Sequence, residues 1–360
     1  MTDGDSVEHL PVVMTTETVD DVSETTAANV ATSSSRGTEF YFQCAVVVIG
    51  VVGTAANALI LYAMVASKEH KKQVLIFNQN VIDFVSSLFL IITYALKLCN
   101  IPLTGFGGYW LCMLILSENL IWCLILASKA NLTFVTIERY LKVVHANWSK
   151  AKLRKWMVYL AMAFAWISGF VHNGTAVLNT SDVIDGVCYS YVIWKSRESQ
   201  LAFGIWIFLI LYVSVLAVFI FCYWRILIVI RHQANVMAGH STAGQSTAQA
   251  QSNQIQSNVV KTMILVSAFY AICDLPIQVH FLILNVHANL TLLDSGHYAT
   301  LFIAFFYFCA NPFIYATKFD PVKRVLLSLI PCKKYFEQPI ETVEVAMPRM
   351  TATRTAQADN

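Results

Sequence analysis

The chain has 360 residues and a formal net charge of +2, and 57% of its residues are hydrophobic while only 13% are charged. Soluble domains have about 45–50% apolar and about 25% charged residues, so this chain is too apolar to form one or two soluble domains. The composition also excludes disordered, fibrous and disulfide-scaffold classes, and the near-neutral charge gives no indication of nucleic-acid binding.

The order of segments along the chain predicts an all-α membrane protein. Residues 1–39 are acidic and rich in Thr, Ser and Val, which is typical of a disordered extracellular tail. Residues 40–318 contain seven apolar segments, each long enough for a membrane-spanning helix of about 20 residues. These segments are residues 40–66, 74–96, 109–137, 156–178, 199–224, 262–284 and 295–317. We therefore predict a bundle of seven transmembrane helices.

The basic residues predict the orientation of this bundle. With the N-terminus outside, only Arg36, Lys97, Lys195 and Arg197 lie on the extracellular side. The basic clusters then flank the short loops of the other side, as cytoplasmic loops do in membrane proteins. We expect a multi-pass protein of the plasma membrane with an extracellular N-terminus.

An amphipathic segment follows the seventh span. Residues 319–333 place apolar and basic side chains on opposite faces of a helix, which predicts a short eighth helix on the inner membrane surface, in contact with lipid. Cys332 lies beside Lys333 and Lys334 and is a candidate palmitoylation site, with an unmodified cysteine as the alternative. Residues 334–360 are expected to form a cytoplasmic tail.

Polar motifs within the spans carry the functional information, because polar residues are costly in lipid. In their order and spacing they resemble those of the rhodopsin-like (class A) G-protein-coupled receptors, over about residues 40–333. The motif residues are Asn57, Asp83, Ser128, Glu138-Arg139-Tyr140, Trp166, Tyr223, Pro276 and Asn311-Pro312-Phe313-Ile314-Tyr315.

The resemblance implies a receptor and not an enzyme, with no cofactor and no metal. Such a receptor binds an extracellular ligand and activates a heterotrimeric G protein on the cytoplasmic side. Phosphorylated Thr residues of the tail would recruit arrestin. The residues expected to serve G-protein coupling and activation are Glu138, Arg139, Tyr140, Tyr223, Lys261, Asn311, Pro312 and Tyr315.

The resemblance also implies a disulfide between Cys112 and Cys188. This bond would hold the second extracellular loop over the ligand cavity in an oxidising compartment. The separation between Cys112 and Arg139 is slightly longer than is usual for the family, so Cys99 is a competing partner for Cys188.

Glycosylation sequons mark two extracellular positions, Asn179 and Asn289. Asn173 also begins a sequon but lies close to the membrane. The sequons at Asn131 and Asn147 fall in the bilayer and on the cytoplasmic side, so we do not expect them to be used.

The sixth span departs from the family, since Asp274 stands where a Trp is usual, and Lys129 replaces an apolar residue of the third span. Lys129 lies ten residues before Arg139, or roughly 15 Å deeper along the helix, which is about the depth of Asp274. We predict a buried ion pair between Lys129 and Asp274. Two alternatives are an ion pair between Lys129 and Asp83 and a protonated Asp274 that is only hydrogen-bonded.

The sodium site of the family is only half present. Asp83 and Ser128 match it, but Tyr307 replaces the usual Asn of the seventh span, which puts sodium binding in doubt. The residues expected to form the switch and the polar network are Asn57, Asp83, Ser128, Lys129, Asp274 and Pro276.

One stripe of the third span should face the ligand, because its members recur at helical spacing. Glu118, outermost on this stripe, would meet a cationic ligand group or a loop. Ile121 stands where amine receptors carry an Asp, and Phe305 stands where retinal-binding receptors carry a Lys. A peptide ligand is therefore the preferred prediction. A hairpin expected over residues 187–194 also favours it. A lipid or another small molecule is the alternative. The stripe contains Glu118, Trp122, Ile125 and Lys129, and the ligand-binding candidates are Glu118, Ile121 and Trp122.

Two other functions are compatible with the same residues. A transporter or ion-conducting protein would use Asp83, Lys129 and Asp274 as a charged pathway. A receptor-like protein with an altered switch would bind without signalling. The intact motifs at Arg139 and at Tyr315 argue against both.

Overall fold

A computed structural model describes residues 19–190, 194–239, 247–286 and 295–329. Two π-helical segments, Cys112–Leu116 and Ile207–Val213, interrupt a chain that is otherwise almost entirely α-helical over these ranges. The α-helices are α1 (Val19–Ala66), α2 (Val74–Leu98), α3 (Gly105–Leu111), α4 (Asn119–Val144), α5 (Ala146–Lys152), α6 (Lys155–Thr180), α7 (Arg197–Trp206), α8 (Ser214–Gly239), α9 (Thr247–Val286), α10 (Ser295–Lys318) and α11 (Asp320–Leu329).

Seven helical segments form the bundle that the sequence predicts. Six of them are long and apolar enough to cross a membrane. The seventh is α6, whose 26 residues span about 39 Å and occupy the predicted fourth span. The six are Gly37–Ala66, Val74–Leu98, Gly105–Val144, Arg197–His232, Ser257–Val286 and Gly296–Lys318.

The first helix begins earlier than the first apolar segment. The sequence places residues 19–39 in a disordered tail, whereas in the structure they belong to α1. Residues 1–18 lie outside the described ranges.

Polar side chains are concentrated inside the bundle and apolar ones cover its outer surface, which is the arrangement expected in lipid. The helix α4 lies at the centre and packs against α2, α6 and α8, while α1 packs against α2 and α10. Fully buried polar side chains include those of Asn57, Gln79, Asn80, Asp83, Asn131 and Asn311. Exposed apolar side chains include those of Leu59, Phe164, Ile167, Ile220 and Ile272.

The third span is interrupted between α3 and α4. The π-helical segment Cys112–Leu116 widens the helix, and Glu118 adopts a left-handed conformation with φ 61° before α4 begins. A π-helical turn accommodates additional residues within a helix. This irregularity explains how the longer separation between Cys112 and Arg139 fits into the bundle.

A short antiparallel hairpin covers one end of the bundle. Its strands are β1 (Asp182–Ile184) and β2 (Val187–Tyr189), with Val183 paired to Cys188. Asp185 and Gly186 have φ of 51° and 76°, as a two-residue type I′ turn requires. The hairpin therefore begins five residues before the predicted range of 187–194, because this Asp-Gly turn fixes its centre.

The predicted disulfide is confirmed. Cys112 is bonded to Cys188, with a Cα–Cα distance of 5.5 Å, and this bond attaches the hairpin to the third span. Cys99, the competing partner, is an exposed free cysteine.

The short helix α11 follows the seventh span. It covers Asp320–Leu329, within the predicted range of 319–333. Phe319 and Val322 are buried against the bundle, whereas Leu327 and Leu329 are exposed. Its place on the membrane surface stays a prediction, and Cys332 and the tail lie outside the described residues.

Candidate functional site

A cavity of about 1390 Å³ opens between the hairpin and the helical bundle. Val187, Cys188 and Tyr189 of the hairpin line one side of it. Ligand pockets for small molecules usually have volumes of about 300–1,000 Å³. The cavity therefore has room for a ligand larger than an ordinary small molecule.

One stripe of the third span forms part of the cavity wall. Glu118, Trp122, Ile125 and Lys129 all line the cavity, as their helical spacing predicts. Ile121, the third ligand-binding candidate, is instead fully buried in the hydrophobic core. Ile121 directly precedes Trp122, and one residue corresponds to a rotation of about 100° around the helix. This rotation turns the side chain of Ile121 away from the cavity.

Glu118 is held at the mouth of the cavity by the second span. Its carboxylate accepts hydrogen bonds from Lys97 Nζ at 2.5 Å and from Tyr94 Oη at 2.7 Å. The sequence leaves open whether Glu118 meets a cationic ligand or a loop, and the structure gives it two partners on α2. Lys97 and Tyr94 were not among the predicted site residues.

Lys129 and Asp274 form a buried ion pair at the floor of the cavity. The Nζ–Oδ2 distance is 2.9 Å, and the side chains are only 5% and 6% exposed. Asp274 also accepts hydrogen bonds from Tyr270 Oη at 2.9 Å and from Gln278 Nε2 at 3.3 Å. Of the three arrangements that the sequence left open, the structure has the pair that links α4 to α9.

Asp83 is surrounded by neutral donors. Gln79 Nε2 donates to Oδ1 at 3.1 Å, and Asn311 Nδ2 donates to Oδ2 at 2.8 Å. The Gln79 amide also donates to Ser128 Oγ at 2.5 Å. Gln79 therefore bridges the two residues that match the family's sodium site, in a position where a cation would otherwise contact Asp83 and Ser128.

Sequence reasoning did not predict the polar contacts of Asn131. This side chain donates to Leu75 O at 3.0 Å and to Gln79 Oε1 at 2.9 Å, and it accepts from Asn78 at 2.8 Å. Trp166 Nε1 in turn donates to Asn78 Oδ1 at 3.2 Å. The four-residue spacing of Gln79 and Asp83 on one helix face was the signal that could have found some of them.

Two further predicted polar residues connect the spans. Asn57 Nδ2 donates to the carbonyl groups of Gly53 at 3.0 Å and Phe308 at 3.1 Å, and so joins the first span to the seventh. Pro276 and Pro312 lie inside α9 and α10. Proline removes a helix hydrogen bond at each of these positions.

Arg139 lies at the opposite end of the third span from the cavity mouth and is almost fully buried. Its guanidinium is 3.9 Å from Glu138 Oε2 and donates a hydrogen bond to Gln73 Oε1 at the start of α2. Glu138 is closer to Lys142, at 2.6 Å. The contact between Glu138 and Arg139 is therefore loose, and a neutral residue of the second span is the closer partner.

The other residues predicted for coupling differ in their partners and in their exposure. Tyr223 Oη is bonded to Thr136 at 2.9 Å and to Ser267 at 2.8 Å, so it links three spans. Tyr315 is buried, and its hydroxyl has no hydrogen-bond partner among the described residues. Lys261 is exposed on α9, and Tyr140 Oη lies 3.2 Å from His145 Nε2.

The modification candidates are placed only in part. Asn179 is exposed near the end of α6, where its amide donates to Thr175 O at 2.7 Å. Asn173 is buried and donates to Asn119 Oδ1 at 2.9 Å, so it is not accessible for glycosylation. Asn289 and Cys332 lie outside the described residues.

Comparisons with known proteins agree with this geometry. A family model described as "7 transmembrane receptor (rhodopsin family)" matches residues 56–315. The crystal structure of squid rhodopsin is similar, with a TM-score of 0.66 and 15% sequence identity over 81% of this chain and 85% of that chain. At this identity the likeness shows the fold alone. A comparison with curated protein sequences finds no match.

Proposed function

Because the chain belongs to the rhodopsin family of seven-transmembrane receptors, which are not enzymes, we propose that it binds a peptide at the cell surface and activates a heterotrimeric G protein inside the cell. In this proposal the hairpin end of the bundle faces outwards in the plasma membrane. The peptide occupies the cavity, and the G protein binds at the end that carries Arg139.

The size and cover of the cavity support a peptide ligand. Its volume of about 1390 Å³ exceeds what a small amine would fill. The hairpin, held by the bond between Cys112 and Cys188, offers strand edges beside the cavity. Ile121, at the position where amine receptors carry an Asp, is buried in the core and does not line the cavity, so no anion meets an ammonium group at that position.

One observation carries the proposal: buried polar and aromatic contacts continue from the cavity floor into the interior of the bundle. The ion pair of Lys129 and Asp274 lies beside Tyr270, and the rings of Tyr270 and Tyr307 are 5.4 Å apart. Further inside the bundle, the amide of Asn311 donates a hydrogen bond to Asp83. Such contacts between spans can exist in two arrangements, which is what coupling between distant sites requires.

The Arg139 end supports the intracellular half of the proposal. Arg139 is buried and its closest hydrogen-bond partner is the neutral Gln73. When the sixth helix moves outward, Arg139 would be free to meet the C-terminal helix of a Gα subunit. Tyr223 and Tyr315, whose hydroxyl has no hydrogen-bond partner among the described residues, would then hold it in that arrangement. Ligand binding would shift this equilibrium through its higher affinity for the active state.

The test measures G-protein dissociation in cells that express the full chain, across all Gα classes, with and without a mixed peptide library. We expect a signal that is lost in Arg139→Ala while surface expression is unchanged. The matched control is Lys142→Ala, which removes a neighbouring charge and should keep the signal. A signal that survives in Arg139→Ala would contradict coupling through this site, and ion flux in its place would indicate a conducting protein.

A further inference from the structure

We infer that the floor of the cavity is an anion-binding subsite, in which the ammonium group of Lys129 binds a carboxylate of the ligand in competition with Asp274. The inference deepens the proposed receptor function, since it names the chemistry of the ligand. It rests on the observation that only one member of the ion pair lines the large cavity.

Lys129 faces the ligand cavity, whereas Asp274 faces the interior of the bundle. Lys129 belongs to the lining of the large cavity. Asp274 lines a separate void of about 10 Å³, together with Ser128, Tyr270 and Tyr307. A ligand that reaches the floor therefore meets the positive member of the pair, which selects for an anion.

Asp274 can lose Lys129 without losing all of its partners. The hydroxyl of Tyr270 and the amide of Gln278 both donate to its carboxylate. Buried carboxylates with such donors are less costly than isolated ones. A ligand carboxylate that takes over Lys129 replaces one anion by another at the ammonium group, so Lys129 stays paired throughout.

The wall above the floor indicates what the rest of the ligand resembles. Trp122 and Ile125 line the cavity between Glu118 and Lys129, over a helix length of about 16 Å. At the mouth, Lys97 is already neutralised by Glu118 at 2.5 Å. An apolar or aromatic group that ends in a carboxylate, such as the C-terminal residue of a peptide, would contact Trp122 and Ile125 with its apolar part and Lys129 with its carboxylate.

Occupation of the subsite would also act on the sixth span. The ion pair is a direct charged contact between α4 and α9. A carboxylate that draws Lys129 away from Asp274 removes this contact, and Pro276, which removes a helix hydrogen bond, lies only two residues further along α9. The ligand would thus release the sixth span at the depth of its proline.

The experiment uses the purified full chain in lipid nanodiscs and saturation-transfer NMR with 4-phenylbutyrate, beside its neutral amide, 4-phenylbutyramide. We expect saturable binding of the acid and none of the amide. Asp274→Asn removes the competing carboxylate and should tighten binding of the acid by about tenfold. The neutral pair Lys129→Gln with Asp274→Asn, which leaves no buried charge unpaired, should fold and lose binding.

Three results would overturn the inference: no saturable binding of the acid to either the parent chain or Asp274→Asn, equal binding of the amide, or unchanged binding to the neutral pair. Loss of binding in Arg197→Gln with retention in the neutral pair would place the anion at the mouth instead. No G protein is present in this measurement. A chain that binds the acid at Lys129 but activates no G protein would keep this inference and reject the proposed function.

Discussion

The two buried basic residues of the third span are held in different ways. Lys129, at the cavity floor, is paired at 2.9 Å with a carboxylate of the sixth span. Arg139, at the other end, is 3.9 Å from its sequence neighbour Glu138 and bonded to the neutral Gln73. The charged contact between the third and sixth spans therefore lies at the cavity floor, about midway along the third span, and not at the Arg139 end.

This difference indicates where the resting state is stabilised. Within the described residues, the ion pairs of Glu138 and Arg139 stay on their own helix, since Glu138 bonds to Lys142 one turn away. Such a local pair cannot restrain the movement of another helix. The pair of Lys129 and Asp274 can, because its two members belong to different spans.

The largest expected effect comes from breaking the ligand-end pair. Lys129→Gln leaves Asp274 buried without its cation, and Asp274→Asn leaves Lys129 without its anion. Removal of one partner of a buried pair typically costs about 3–5 kcal/mol. We expect each single change to lower the free energy of unfolding by an amount of this order, measured by thermal unfolding in nanodiscs.

The control for this prediction removes both charges together. Lys129→Met with Asp274→Leu should recover most of the stability, because an apolar pair of similar volume often replaces a buried ion pair at little cost. The exchanged pair Lys129→Asp with Asp274→Lys should restore part of it. If each single change proves harmless, the ion pair does not stabilise the bundle.

The next effect concerns the hairpin that covers the same end. Cys112→Ser with Cys188→Ser removes the disulfide and should lower the free energy of unfolding by about 2–4 kcal/mol. The matched control is Cys99→Ser, which changes an exposed free cysteine and should leave stability unchanged. Equal losses in both variants would show that Cys99 takes part in the bond.

Between the two ends, Gln79 should set the response to sodium. Its amide donates to Asp83 and Ser128, so the parent chain should unfold at the same temperature in sodium chloride as in choline chloride. Gln79→Leu leaves buried acceptors unsatisfied, at a cost of about 1–3 kcal/mol. Sodium should then recover part of that loss. Asn80→Ala, on the same helix, is the control. An unfolding temperature of the parent chain that rises in sodium chloride would reject this role for Gln79.

The smallest effect is expected at the Arg139 end. Lys142→Ala removes the contact with Glu138, in which the lysine side chain is 32% exposed. Pairs of this spacing contribute about 0.3–0.5 kcal/mol. The unfolding temperature should hardly change, and addition of salt should remove the difference from the parent chain. A loss of stability in Lys142→Ala as large as that in Asp274→Asn would contradict the difference between the Glu138 contacts and the pair of Lys129 and Asp274.

Much of the bundle could be predicted from the sequence because lipid imposes simple requirements. Long uncharged segments mark the helices, and the cost of polar groups in lipid identified Asp83, Lys129 and Asp274 as residues that need partners. The depth of Lys129 above Arg139 follows from the rise of a helix, which made Asp274 the preferred partner. The helical period also predicted the cavity stripe from Glu118 to Lys129.

Other parts depended on rotations and irregular turns that the sequence signals only weakly. The π-helical segment Cys112–Leu116 and the left-handed Glu118 change which side chains face inwards near the cavity mouth. The match to the Asp position of amine receptors assigned Ile121 to the ligand site, although this residue lies in the core. Gln79 belongs to no motif, and its contacts with Asp83 and Ser128 appear only when α2 and α4 are packed together.

The sequence by itself determined the class of fold and the charged residues that must be paired inside the bundle, because hydrophobicity and charge act on each segment separately. The tertiary structure alone decided which partner each residue meets. A hydrogen bond or an ion pair needs atoms within about 3 Å, and the rotation and tilt of the helices determine which atoms come that close. For that reason Lys129 faces the cavity while Asp274 faces the interior.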